Sequence, residues 1–252
     1  MSAGVLIYCF DTPHVLYHPM ANLCIDLVRL NLKLPVTVVT NKDTMPFIQN
    51  ADGCVLVNNQ KTNYRHHKQT LVPWYNQERS SAYEHSPYST TILLDADYLV
   101  YTDNLLQVIK GASDFMLHDR VHDLTNRNIF NYPTKSMIPM VWATVVIFRK
   151  TALAQNIFSM VKHVQQHYDY FCNLYRIDFV NFRNDYAFAM ALNQLSPDRS
   201  LYSLPTAMNM LPMDAKVLKA DHNGIIFSYE KFINLVTAQD THVLDKEAIK
   251  NV

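Results

Sequence analysis

The part of the sequence best suited to chemistry is a pair of aspartates that directly follows an apolar run. Asp95 and Asp97 come after Thr91-Ile-Leu-Leu94 and are separated by one alanine. In an extended chain, residues two apart point to the same side, so both carboxylates can converge where the strand ends. Two carboxylates at one point repel each other unless a cation lies between them, and Mg²⁺ or Mn²⁺ prefers oxygen ligands. The pair therefore predicts a divalent-cation site, and a solvated turn is the alternative.

The elements that position this pair alternate between short β-branched runs and helical segments. A helix is predicted to open at His18-Pro19, since proline is favoured in the first turn. Strands are predicted at Gly4–Phe10, Pro35–Thr40, Cys54–Val57 and Thr90–Leu94, with helical residues at Glu78–His85. Strands that are apolar on both faces, with helices between them, are typical of parallel sheets. We therefore expect an α/β fold with a mostly parallel sheet flanked by helices.

The second half of the chain continues this pattern less regularly. Further strands are predicted at Asp114–Leu117 and Val141–Phe148. Thr151 is a predicted N-cap of a long helix whose apolar stripe reaches Phe171, and another helix is predicted from Asn184 to Leu195. No low-complexity linker, charge block or internal repeat interrupts the chain. We therefore expect one domain over residues 1–252.

The composition excludes several classes of protein. Lys and Arg together number 22, as do Asp and Glu, so no overall field attracts a polyanion. The 252 residues include only four glycines, which are far apart. The phosphate loop of P-loop NTPases and the GxGxxG dinucleotide fingerprint both need several glycines close together, so neither can be built.

Cysteine spacing and hydropathy indicate the compartment. The four cysteines form no CxxC pair and are expected to be reduced core residues. The apolar stretch Val5–Phe10 is too short for a signal sequence, and no run approaches the roughly 18 apolar residues of a membrane helix. We expect a soluble, cytoplasmic protein.

Several further motifs extend the pattern around Asp95 and Asp97. Arg79 precedes the aspartate pair in a predicted helix, and Val141–Phe148 forms the next long strand. Arg183-Asn-Asp185 opens a helix, and His242 lies near the end of the chain. In this order and spacing the chain resembles GT-A glycosyltransferases of the family-eight type. The stretch Tyr83–Val100 also resembles small glycosyltransferases carried by tailed phages.

The resemblance implies an activity and roles for particular residues. It implies transfer of a sugar from a nucleoside-diphosphate donor, most simply a UDP-sugar, to a hydroxyl acceptor. Asp95, Asp97 and His242 would hold Mn²⁺ or Mg²⁺. Asp185 would act as general base or stabilise the cationic sugar. Contacts to the donor are implied for Tyr8, Phe10, Asp11, Thr40, Arg79, Asp95 and Lys246. Residues 1–100 would form the nucleotide-sugar-binding half, and residues 101–252 the acceptor half with the C-terminal metal-binding segment.

Two departures from the family pattern stand near these residues. Trp142-Ala143-Thr144 replaces the Asn-Ala-Gly of the family, and the bulky indole changes the surface offered to a sugar. His242 is followed by Val-Leu-Asp-Lys246 instead of His-x-x-Gly-x-x-Lys-Pro-Trp. The lysine that would bind the departing phosphates is therefore either Lys246 or Lys250.

The acceptor and the alternatives follow from weaker signals. The phage resemblance implies a hydroxylated base in duplex DNA as acceptor, and hence the host cytoplasm as the location. A basic and aromatic stretch that suits such a partner contains Lys61, Arg65, Lys68 and Trp74, although a solvated loop explains it as well.

A nucleotidyltransferase also uses paired aspartates with Mg²⁺, but residues 5–52 lack the glycine-rich loop that such enzymes generally need. A catalytically silent sugar-nucleotide-binding protein is the other alternative, and Trp142 favours it.

Overall fold

The chain begins with alternating strands and helices and ends with five strands in succession. A computed structural model describes residues 2–58, 63–67, 70–74, 76–111, 113–126, 137–177, 182–196, 198 and 200–245. The first elements are β1 (Ala3–Tyr8), α1 (His18–Asn31), β2 (Val36–Thr40), β3 (Gly53–Leu56), β4 (Asn63–His67), β5 (Thr70–Trp74), α2 (Ala82–His85), β6 (Thr90–Asp95) and β7 (Tyr98–Leu99). The later elements are α3 (Asn104–Lys110), β8 (Phe115–His118), β9 (Val121–Asp123), β10 (Trp142–Arg149), α4 (Ala152–Gln166), α5 (Tyr168–Tyr175), α6 (Asn184–Leu195), β11 (Met208–Leu211), β12 (Lys216–Asp221), β13 (Gly224–Tyr229), β14 (Phe232–Val236) and β15 (Thr241–Val243).

The central sheet is mostly parallel. Six of the described strands form it, in the order β3-β2-β1-β6-β10-β8. The first four of these run parallel to one another, whereas β10 is antiparallel to β6 and to β8. Tyr8 of β1 is in register with Asp95 of β6, so the carboxyl ends of these two strands coincide. The predicted α/β architecture with a mostly parallel sheet is confirmed.

Alternate residues of the central strands enter two different cores, which explains why these strands are apolar on both faces. Ile92 and Leu94 of β6 pack on the side of α1, whereas Leu93 packs on the side of α4 and α6. All three are at most 1% exposed. Each strand therefore needs a layer of helices on both sides of the sheet, as the sequence predicted.

The predicted long helix after Thr151 is divided in two. The Thr151 hydroxyl accepts a hydrogen bond from the backbone N–H of Ala154 at 3.4 Å, which confirms the N-cap. The helix ends at Gln166 because His167 leaves the helical conformation, with φ −122° and ψ 36°, and α5 then begins at Tyr168. Both helices still bury their apolar sides in the same core. The spacing of apolar residues continues across the break, so periodicity alone could not reveal it.

A second, smaller sheet brings the end of the chain next to the aspartate pair. Its order is β7-β15-β11-β9. In the antiparallel pairing of β15 with β7, His242 is in register with Tyr98. The backbone N–H of Val243 donates to the Asp97 carbonyl at 2.9 Å. The segment that carries His242 is thereby fixed beside Asp97, far along the sequence.

Buried Asp240 fastens the start of β15. Its Oδ1 accepts hydrogen bonds from the backbone N–H groups of Tyr101 and Thr102, both at 2.8 Å. Its Oδ2 accepts from the Thr102 hydroxyl at 2.9 Å. Burial nevertheless raises the pKa of Asp240 to about 6 from 3.8, because the charged carboxylate is poorly solvated there.

This raised pKa predicts how Asp240→Asn changes the pH dependence of stability. The folded state holds the proton more tightly than the unfolded state, so the Asp240 contribution is greatest below about pH 4 and is lost as the pH rises to about 6. The loss amounts to at most about 3 kcal/mol. Urea unfolding should therefore show the variant gaining stability relative to wild type between pH 4 and pH 6. A difference that stays constant over this range would contradict the raised pKa.

Cysteine burial differs from the expectation at one position. Cys9, Cys24 and Cys172 are buried, Cys54 is exposed, and all four are free thiols. Cys54 lies on β3, the edge strand whose alternate residues face outward. Among the described helices, none combines the length and the apolar character that crossing a bilayer requires.

Candidate metal centre

Three side chains from distant parts of the sequence converge at the carboxyl edge of the central sheet. Asp95 ends β6, Asp97 lies in the turn that follows, and His242 is the middle residue of β15. His242 Nε2 lies 3.2 Å from Asp97 Oδ1 and 4.0 Å from Asp95 Oδ2. One potential ligand atom from each residue lies within 4.8 Å of the others. Asp97 and His242 are buried, while the Asp95 side chain is 23% exposed, so a ligand can approach from the side of Asp95.

This donor set fits a hard divalent cation. Two carboxylates suit both Mn²⁺ and Mg²⁺, whereas the imidazole suits Mn²⁺ better than the harder Mg²⁺. The remaining positions can be taken by water or phosphate oxygens. Two ligand atoms about 2.1 Å from one ion are at most about 4.2 Å apart. The cluster, whose atoms are within 4.8 Å, needs only a small contraction to reach this geometry.

The imidazole of His242 is held in a form that can bind a cation. Burial lowers the pKa of His242, and the charges of Asp95 and Asp185 oppose this effect only in part. A neutral ring keeps a lone pair for a metal. Thr144 Oγ1 lies 3.4 Å from Nδ1, and this contact orients the ring so that Nε2 faces the two carboxylates. The role of Thr144 was not predicted, although it lies in the Trp142-Ala143-Thr144 departure from the family pattern.

Arg79 lies beneath the aspartate pair. Its side chain is 1% exposed, and its Nη1 donates to Asp95 Oδ1 at 2.8 Å and to the Leu94 carbonyl at 3.0 Å. Its Nη2 donates to the carbonyls of Ala143 and Thr144 in β10. The guanidinium therefore orients Asp95 and connects β6 to β10. Both terminal nitrogens of Arg79 have partners within the protein, whereas its buried Nε has none among the described residues. The contact with the donor that the resemblance implied stays a prediction.

Asp185 reaches the same region from the first turn of α6. Its Oδ1 accepts the backbone N–H of Ala143 at 2.8 Å, and its Oδ2 accepts from Arg183 at 3.0 Å. The Ala143 carbonyl in turn accepts from Arg79. One residue of β10, Ala143, thus links Asp185 to the arginine that holds Asp95. The Asp185 side chain is 17% exposed, and its charge acts on His242.

The residues predicted to contact the donor lie where β1 and β2 end, but their polar atoms have partners within the protein. The Tyr8 hydroxyl lies 2.8 Å from His85 Nδ1, and the Phe10 ring packs against Tyr8 with centroids 6.3 Å apart. The Asp11 carboxylate accepts the backbone N–H groups of Tyr17 and His18 at the start of α1. The Thr40 hydroxyl donates to the Cys9 carbonyl at 2.7 Å. Lys246 and Lys250 lie outside the described residues.

A second buried imidazole stands near His242. His118 ends β8 and is in register with Trp142 of β10. Burial lowers the pKa of His118 to about 4, and His242 is among the charges that lower it further. Its Nδ1 has no hydrogen-bond partner among the described residues. At neutral pH this buried ring is therefore uncharged.

Loss of the His242 imidazole should weaken metal binding by less than loss of an aspartate. We expect His242→Ala to lower the Mn²⁺ affinity by roughly ten- to a hundredfold, because a neutral imidazole attracts a hard cation less than a carboxylate does. Calorimetric titration with Mn²⁺ measures this directly. The control is His222→Ala, which removes an exposed histidine in the turn between β12 and β13. Unchanged Mn²⁺ affinity in His242→Ala would remove His242 from the site.

Comparison with known proteins yields structural likenesses only. No protein-family model matches the chain, and no curated protein matches it. The chain is similar to the glycosyltransferase GlyE of Streptococcus pneumoniae TIGR4 over 81% of its own length and 44% of GlyE, with 9% identity and a TM-score of 0.44. It therefore spans less than half of GlyE.

Two further solved structures show a comparable likeness. The galactosyltransferase LgtC, solved in complex with donor and acceptor sugar analogs, aligns over 76% of this chain and 70% of LgtC, with 15% identity and a TM-score of 0.48. Mouse xyloside xylosyltransferase 1 aligns over 78% of this chain and 83% of its own, with 12% identity and a TM-score of 0.46. All three TM-scores are below 0.5, and no activity is assigned to this chain from them.

Proposed function

We propose that this protein is a metal-dependent glycosyltransferase that uses a nucleoside-diphosphate sugar, most simply a UDP-sugar. The observation that supports the proposal most is the convergence of Asp95, Asp97 and His242 at the carboxyl edge of the sheet. Open α/β sheets bind ligands at this edge. The ends of β1 and β2 lie at the same edge, as expected if residues 1–100 bind the nucleotide and residues 101–252 complete the site.

The three ligands would hold Mn²⁺ or Mg²⁺ against the diphosphate of the donor. When bound, the cation supplies positive charge that stabilises the leaving diphosphate. Arg79 keeps one Asp95 oxygen in place from below and leaves the other facing His242. Burial of Asp97 and His242 excludes water from the inner side of the site, which strengthens these electrostatic interactions. Lys246 or Lys250 remains the proposed contact to the phosphates.

Asp185 is proposed to act on the sugar electrostatically. Both of its oxygens already accept hydrogen bonds, Oδ1 from the backbone N–H of Ala143 and Oδ2 from Arg183. A carboxylate held in this way stabilises positive charge that develops on the sugar ring. The same hydrogen bonds occupy both oxygens, so neither is free of a donor to take the proton of the acceptor hydroxyl. Of the two roles suggested by the sequence, the electrostatic one fits these contacts better.

Donor hydrolysis tests the proposal without knowledge of the acceptor. Many transferases slowly hydrolyse their donor, so incubation with UDP-glucose, UDP-galactose, UDP-xylose and GDP-mannose in Mn²⁺ should release a nucleoside diphosphate from at least one of them. Chelation with EDTA should stop the release. Binding without hydrolysis or transfer would favour the silent binding protein, and exchange of pyrophosphate into a nucleotide sugar would favour a nucleotidyltransferase.

The proposed acceptor is a hydroxylated base in duplex DNA, and it is supported by sequence only. The side chains of Lys61, Arg65, Lys68 and Trp74 lie outside the described part of the structure. Reaching a base in a duplex requires flipping it, and phosphate contacts would make binding weaken steeply with salt. Transfer of labelled sugar to hydroxymethylated DNA, compared with unmodified DNA and simple saccharides, tests this acceptor. Transfer to saccharides alone would exclude it and leave the donor assignment unchanged.

A further inference from the structure

The edge strand β14 is unusually apolar and exposed. It closes one side of the three-stranded antiparallel sheet β12-β13-β14, and no described strand pairs with its outer edge. Phe232 is 67% exposed, Ile233 72% and Leu235 64%. Monomeric proteins generally protect such edges with charges, proline or a bulge, because an open apolar edge invites another strand. The strand Phe232-Ile-Asn-Leu-Val236 carries none of these protections.

Both faces of β14 are open from Phe232 to Leu235, whereas Val236 and the neighbouring strand β13 are anchored in the core. Ile225 and Phe227 of β13 are at most 2% exposed and belong to the core on the α1 side. On the outer face, Ile226 pairs with Leu235, and Ser228 pairs with Ile233. Phe232 on one face, and Ile233 and Leu235 on the other, are therefore exposed apolar side chains. A partner must therefore form hydrogen bonds with the backbone N–H and C=O groups of the outer edge and also cover apolar side chains on two faces. An added β-strand can do both.

We propose that β14 pairs with β14 of a second copy of this chain, in antiparallel orientation about a twofold axis at Asn234. A twofold axis brings the same surface of both copies together. In this register, Phe232 faces Val236 of the second copy, and Ile233 faces Leu235 of the second copy. Every apolar residue of the strand then has an apolar partner, and the two sheets join into one of six strands. The proposal does not depend on the proposed function.

Charge favours a second copy over a membrane surface. Glu230 and Lys231 precede the strand and carry opposite charges, whereas Thr237 and Ala238 follow it. In the proposed register, Lys231 faces Thr237 of the second copy, so no like charges are opposed. The net charge of the chain is +0, so two copies do not repel each other at long range. An anionic membrane would instead require a basic rim, whereas the charges around this sheet are mixed: Lys231 is next to Glu230, and exposed Lys219 of β12 forms an ion pair with Asp221.

Paired charge variants test the interface. Sedimentation equilibrium of wild type should give a mass twice the 29.2 kDa of the chain. The double variant Ile233→Lys with Leu235→Lys places like charges opposite each other and should weaken the dimer at least tenfold. The double variant Ile233→Lys with Leu235→Glu places unlike charges opposite each other and should dimerise better than the first. The control Leu30→Lys changes another exposed apolar residue, which lies on α1 and is 53% exposed, and should leave the dimer intact.

Cross-linking tests the register. Residues directly opposite in an antiparallel pair have Cα atoms about 4.5–5.5 Å apart, which permits a disulfide. Asn234→Cys should therefore give a covalent dimer on oxidation, whereas Phe232→Cys should not, and wild type reports any background from exposed Cys54. A monomeric wild type at tens of micromolar would overturn the proposal. So would a like-charged double variant that still dimerises, or wild type that binds phosphatidylserine vesicles only as a monomer.

Discussion

Asp97→Asn is expected to abolish metal-dependent activity while the protein remains folded. Asp97 is 6% exposed and lies 3.2 Å from His242 Nε2, so its carboxylate is a central ligand of the candidate site. Asparagine keeps the shape of the side chain but removes the charge that attracts the cation. Because metal stabilisation of a leaving group is worth several kcal/mol, Mn²⁺-dependent donor hydrolysis should fall at least about a hundredfold. Without metal, the variant should unfold at the same urea concentration as wild type or higher, since one of two neighbouring negative charges is lost.

The matched control for this variant is Asp103→Asn. Asp103 is an exposed aspartate at the start of α3, and the substitution makes the same chemical change without touching the site. Its donor hydrolysis and its Mn²⁺ affinity should equal those of wild type. If folded Asp97→Asn retains wild-type hydrolysis in Mn²⁺, the metal assignment is wrong.

Arg79→Met is expected to destabilise the fold strongly. The guanidinium is 1% exposed and supports Asp95 together with carbonyls of β6 and β10. Removing one partner of a buried ion pair leaves polar groups without compensation and costs about 3–5 kcal/mol. The partial exposure of Asp95 places the expected loss near the lower end, about 3 kcal/mol. For a chain of this size, this loss lowers Tm by roughly 6–12 °C.

An exposed arginine provides the comparison for this effect. Arg29 binds Asp52 through side chains that are 48% and 40% exposed, and exposed pairs contribute at most about 1 kcal/mol. Thermal and urea unfolding of Arg29→Met and Arg79→Met should therefore differ clearly. If the two variants lose equal stability, Arg79 does not support the sheet in the way that its contacts indicate.

The sequence predicted the central sheet well because its signal is local. Strands that are apolar on both faces, such as Ile92–Leu94, report directly that helices cover both sides of the sheet. The small sheet that carries His242 was not predicted, since β7 and β15 contain only two and three residues. Strands this short have no periodicity to detect.

The candidate site could be predicted only in part, because several of its contacts join residues that are far apart in the sequence. The spacing of Asp95 and Asp97 alone predicted that their carboxylates converge, whereas His242 was implied only by resemblance to a family. Arg79 lies in a 3₁₀ helix (Asn76–Ser81), and its burial depends on where this helix packs. Neighbouring residues in the sequence do not specify that packing. The internal partners of Asp11 and Thr40 likewise arise from contacts across the fold. Position at the sheet edge was predictable from sequence, but these contacts within the protein were not.

Binding of UDP with and without metal is the most direct test of whether a cation joins the Asp95, Asp97 and His242 cluster to the donor diphosphate. If Mn²⁺ binds between the Asp95, Asp97 and His242 cluster and the diphosphate, as proposed, each ligand must increase the affinity for the other. Calorimetric titration with UDP should show at least about tenfold tighter binding in Mn²⁺ than in EDTA, and Asp97→Asn should remove this difference. Equal UDP affinity in Mn²⁺ and in EDTA, measured on fully folded wild type, would contradict the proposed metal site.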